Sequence, residues 1–143
     1  MVGLSERIVQ RLVRFAGNIL FRDKVRLIEL FSALNLLAWA KVLHETPLLF
    51  ARDSYRTFDS VGQPAWLFIF FVVAVVQLAG VLMYWRHVHE VRFLGFALAS
   101  GAWSAVAMSF IISGVSTTAE LNYSLLAIAC MISGAFVGWK KRS

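Results

Sequence analysis

Apolar residues gather along this chain into four long runs, from about Leu27 to Leu43, Ala65 to Trp85, Phe93 to Val115 and Leu121 to Trp139. Each is near the ~20 residues that a helix needs to cross a hydrocarbon core about 30 Å thick. A β-barrel would require apolar and polar positions to alternate, and the stretch Leu67-Phe68-Ile69-Phe70-Phe71-Val72-Val73 shows no alternation. Helices satisfy every backbone N–H and C=O within one segment, which a water-free environment demands. The pattern predicts an all-α membrane protein, a four-transmembrane-helix bundle forming a single domain over residues 1–143.

The segments outside the runs are patterned too. Over residues 1–24, Arg7, Arg11, Arg14, Asn18 and Arg22 recur every three or four positions, while Ile8, Leu12, Ala16, Ile19 and Leu20 fill much of the opposite side. This predicts an N-terminal amphipathic interfacial helix, its apolar face in the acyl boundary and its arginines among anionic headgroups. Between the first two runs, Thr46-Pro47 has the form of a helix start. Leu48, Ala51, Tyr55 and Phe58 then share a face until Gly62-Gln63-Pro64 interrupts it. That segment is either a short helix resting on the membrane or an extension of the first span. A secretory signal would explain the basic start and the Ala38-Trp39-Ala40 pattern, but Glu29 and Asn35 interrupt its apolar core and further spans follow.

Composition and charge add orientation. At 59% hydrophobic residues and a mean hydropathy of +0.72, a chain of 143 residues cannot cover its apolar surface as a soluble domain. The net charge of +6 does not point to nucleic acid, because the basic residues are divided among short connecting segments rather than clustered on one surface. With the N-terminus inside, the cytoplasmic segments hold Arg7, Arg11, Arg14, Arg22, Lys24, Arg26, Arg86, Arg92, Lys140, Lys141 and Arg142. The outer segments hold only Lys41, Arg52 and Arg56, each offset by Glu45, Asp53 or Asp59. Lys and Arg resist translocation, so both termini are expected on the cytoplasmic side of a bacterial inner membrane. Trp39, Trp66, Tyr84, Trp85 and Trp139 fall near run ends, where amphipathic rings favour the interface.

Candidate packing faces follow from small residues, since helices in lipid associate where backbones approach closely. The third run carries Ala97, Gly101, Ala105, Ser109 and Ser113 at four-residue spacing, and the fourth carries Cys130, Gly134 and Gly138. These faces serve intramolecular packing or self-association, in a homo-oligomer or a larger membrane complex. The second run, poorer in small residues, is expected to face lipid. Intramembrane polar residues mark the places to look for function, being costly unless paired or wet. Glu29 lies three residues after Arg26 and is placed to pair with it locally, while Asn35 and Gln77 sit near mid-depth and are expected to bond across helices. His44, His87 and His89 do not meet at one depth, the lone Cys130 forms no intramolecular disulfide, and no nucleophile has a base in reach. No cofactor, metal site or enzymatic activity is expected.

In layout, the basic amphipathic start, the closely spaced spans, the small-residue faces and the Lys140-Lys141-Arg142 tail resemble small phage-encoded membrane proteins, including the holins. That resemblance implies self-assembly in the cytoplasmic membrane into lesions that release a lytic enzyme or collapse the proton gradient. Glu29 also gives the chain a first-span carboxylate, as in the small four-span multidrug transporters, which implies a proton-coupled transporter as an alternative. A third possibility is a non-catalytic anchor or regulatory subunit docked through the third and fourth runs.

Overall fold

A computed structural model describes residues 8, 10, 24–47, 49–83, 88–114 and 118–140. Ile8 and Gln10 are helical, and the remainder of the expected N-terminal amphipathic helix, with Arg7, Arg11, Arg14 and Arg22, lies outside the described residues. Four helices follow: α1 Lys24–Glu45, α2 Gln63–Leu82, α3 Val88–Ser113 and α4 Thr118–Lys140. All four are long and apolar enough to cross a membrane, and no strand occurs among the described residues. The shortest, α2, has 20 residues and so extends for about 30 Å.

The helices form an up-down-up-down bundle in which each packs on the next in sequence. Among neighbours around the ring, contact is most extensive between α3 and α4 and thinnest between α1 and α4, the seam that closes it. Trp103, Phe70, Phe96 and Leu36 fill the interior, whereas Phe31, Phe68, Phe71, Ile112 and Leu125 point outward. An apolar exterior around an interior that holds Glu29, Arg92 and Gln77 inverts the arrangement of a water-soluble bundle.

Two boundaries differ from those the hydrophobic runs suggest. Helix α3 starts at Val88, so His89, Glu90 and Arg92 belong to its first turns and not to a connecting turn. An arginine ends a hydropathy window, but it does not end a helix when its charge is met inside the bundle. At the other end Gly114 takes φ 68°, a left-handed conformation that glycine adopts without strain, and α3 stops at Ser113. Helix α2 is also less lipid-facing than its large side chains suggest: Ala74, Gln77 and Gly80 are turned inward, and α4 is the most exposed of the four.

Between α1 and α2 the chain forms two 3-10 helices, Leu49–Ala51 and Asp53–Ser60, in place of one short helix. They cap one end of the bundle by inserting Phe50 and Phe58, which stack at 5.4 Å, while Ala51 is left exposed. Trp66 donates its indole N–H to the Phe58 carbonyl at 3.1 Å and fixes the cap to α2. Gly62, at φ 85°, turns the chain into α2. Gln63 then donates its amide to the carbonyl of Leu43, in the last turn of α1, and to that of Thr46, which also accepts the Leu49 N–H at 3.3 Å.

Candidate functional site

The opposite end of the bundle gathers buried charge. Along α1, Arg26, Glu29, Ser32, Ala33, Leu36, Ala40 and Leu43 recur every three or four residues and make one buried face. The inward face of α3 begins with Arg92, Gly95 and Phe96, and that of α2 ends with Gln77, Gly80 and Val81. These three faces bring Arg92 Nε to 2.8 Å from Glu29 Oε2. Glu29 is 0% exposed and Arg92 2%. Beside the local pairing with Arg26 that the sequence suggests, the structure gives Glu29 a partner 63 residues away, across the bundle. Arg26 is buried at the same end.

Gly80 makes room for this pair. A Cβ there would lie 2.6 Å from Glu29 Oε1 and 2.9 Å from Arg92 Cγ, closer than carbon atoms tolerate. Gly95 similarly accepts Gln77, whose Cγ would lie 3.3 Å from an added Cβ. Gln77 is itself 0% exposed, and neither polar atom of its amide has a hydrogen-bond partner among the described residues. The expected cross-helix bond of Gln77 is therefore not formed among the described residues. Asn35 also makes no such bond: half-buried, it donates to the Phe31 carbonyl of its own helix at 2.9 Å. Its position on the helix turns it off the buried face, so the nearest acceptor is the backbone one turn back.

A second tie joins the same two helices one turn deeper. Trp103 donates its indole N–H to Ser32 Oγ at 2.9 Å, and Cys130 Sγ lies 3.5 Å from the same hydroxyl. Trp103 stacks on Tyr123 at 5.3 Å, and Tyr123 accepts a hydrogen bond from Trp39 at 2.9 Å. Two hydrogen bonds and a ring stack thus link Ser32 through Trp103 and Tyr123 to Trp39, which packs on Phe58 of the cap. Sequence reasoning missed Arg92, Ser32 and Gly80 as parts of one site. The readable signal was that Arg92 lies three and four residues before Gly95 and Phe96, in register with the buried face of α3.

The small-residue faces are divided. Cys130 and Gly134 are buried, and an added Cβ at Gly134 would come within 3.0 Å of Phe96 Cβ. Gly138 lies against the Phe93 ring at 3.3 Å by the same measure. On α3, by contrast, Ala97 and Gly101 are on the outer surface, and nothing lies within 4 Å of a Cβ at Gly101. Ala105 is half-buried, while Ser109 and Ser113 bond carbonyls of their own helix. The buried residues Gly95, Ala99, Ala102 and Val106 follow a face rotated from that series, and Ser100 donates across it to the Ala127 carbonyl on α4 at 3.1 Å.

Along the thin α1–α4 seam runs a groove of about 590 Å³, lined by Leu27, Ile28 and Phe31 on one side and Tyr123, Leu126 and Ala129 on the other. Among the described residues, no three of His, Cys, Asp and Glu gather as metal ligands. Chemically, the site holds an ion pair that is stable when its charges meet each other or water, and unstable against lipid. No protein-family model matches the chain, and no curated protein or solved structure shows significant similarity to it.

Proposed function

We propose that this chain is a four-span protein of the bacterial cytoplasmic membrane that self-associates and permeabilises the bilayer in the manner of a holin. The observation that carries the reading is the combination of a polar interior, with Glu29, Arg92, Gln77 and Ser32 turned inward, and a ring closed by its thinnest contact between α1 and α4. Parting that seam offers a polar wall to water without placing new charge in lipid. The outer face of α3, bare at Ala97 and Gly101, lets a neighbouring backbone approach.

Orientation rests on the connecting segments. With Arg26 and Arg92 counted as buried, the sequence before α1, between α2 and α3 and at the C-terminal end still holds Arg7, Arg11, Arg14, Arg22, Lys24, Arg86, Lys140, Lys141 and Arg142, against Lys41, Arg52 and Arg56 around the segment between α1 and α2. That bias puts both termini in the cytoplasm. The N-terminal arginines then meet the anionic headgroups of the inner leaflet.

Inducible expression in a bacterium carrying a potential-sensitive dye tests the proposal. Abrupt depolarisation and growth arrest are expected, and cells that keep their potential at high expression would refute it. A proton-coupled transporter is the second reading, favoured by the complete burial of Glu29 between Arg92 and Gly80. It requires cells to tolerate expression and proton-driven flux to disappear in Glu29→Gln. An anchoring subunit would give neither result and would instead co-purify with a membrane partner.

A further inference from the structure

We propose that the Glu29–Arg92 ion pair, with the Trp103–Ser32 hydrogen bond one turn deeper, is a latch that holds α1 shut over the polar interior of the bundle. The inference rests on the permeabilising reading for its purpose, though the latch itself is measurable without it.

Both ties join α1 to α3, helices that face each other diagonally across the ring. The flank of α1 toward α2 is well packed, whereas its flank toward α4 is the thin seam with the apolar groove. Apolar contact in lipid does little to hold such a seam, because lipid tails satisfy Leu27, Ile28 and Phe31 as well as α4 does. What holds it is that α1 cannot swing outward without carrying the Glu29 carboxylate away from Arg92, which pulls two buried opposite charges apart. Gly80 adds to this: the missing side chain lets α2 close directly over the carboxylate and the arginine stem. The cost of opening falls once water enters with the movement and solvates both charges. The device therefore resists opening toward lipid and permits opening toward a water-filled space.

The chain has one cysteine, Cys130, fully buried against Ser32, so access of water to the interior is readable without adding a thiol. A charged methanethiosulfonate reagent applied to membranes containing the full-length protein reacts with the ionised thiol, which forms only in contact with water. In the wild type Cys130 should be protected. In Glu29→Gln, which leaves Arg92 facing a neutral amide, its labelling rate should rise by about tenfold or more. The exchange Glu29→Arg with Arg92→Glu should return most of the protection. Should Glu29→Gln fail to accumulate, Arg92→Lys keeps the charge but loses the Nε hydrogen bond, and a rise of about threefold is expected. Equal rates in wild type and in an accumulating variant overturn the latch, as does wild-type labelling as fast as in detergent-denatured protein. Cells that keep their potential on expression would remove the permeabilising role and leave these rates intact, so the two failures are distinguishable.

Discussion

At the scale of single residues, the most informative position is a glycine. Gly80 lies where α2 meets the Glu29–Arg92 pair, and its hydrogen occupies space that a methyl group cannot share with Glu29 Oε1 at 2.6 Å and Arg92 Cγ at 2.9 Å. Gly80→Ala is expected to lose about 1–3 kcal/mol of stability, as overpacking of a close contact does, and the loss is measurable by denaturation in mixed micelles. Gly101→Ala provides the contrast. With nothing within 4 Å of the new Cβ, it should be neutral or slightly stabilising through the better helix propensity of alanine. A loss of 1 kcal/mol or more at Gly101 would mean that its face is already covered by another chain. Four-residue spacing of small residues does not separate these two glycines. The difference lies in the rotation of each helix about its own axis, which neighbouring helices set.

Each element owes its ends to a different physical cause. Helix α2 begins because Gly62 takes a positive φ and Pro64 suits the first turn, both readable as Gly62-Gln63-Pro64. The role of Gln63 is not readable there: it caps the carbonyls of Leu43 and Thr46, 20 and 17 residues earlier. Gln63→Ala removes both bonds and is expected to cost about 1–2 kcal/mol, with amide exchange rising first at the C-terminal turn of α1. Exchange that rises evenly along α1 would show that the amide is not the local cap. Helix α3 gives the converse lesson. A hydropathy run stops at a charge, so Arg92 reads as a loop residue, yet the helix continues back to Val88 because Glu29 neutralises that charge.

For the whole molecule, the proposed orientation is testable with reporter fusions after Arg56 and after Ser143. The first should report the outer side and the second the cytoplasm. The same side for both would require an even number of crossings between them and would break the four-span topology. Adjacent helices account for three sides of the ring, as short connections dictate. The fourth side, α1 against α4, is governed less by apolar packing than by the diagonal ties of Glu29 to Arg92 and Ser32 to Trp103.

Hydrophobic runs, loop charge and turn residues by themselves determined an all-helical bundle of four long apolar helices, because those features act over one turn or one bilayer thickness and are written locally. The same local reading picked out Glu29 and Gln77 as costly positions. Only the tertiary structure decided what they meet. Glu29 met Arg92 from across the bundle, Gln77 came to lie beside Gly95, and Asn35 bonds its own backbone. The reason is geometric: partners on different helices depend on rotation, depth and register, which many side chains set together and no single segment encodes.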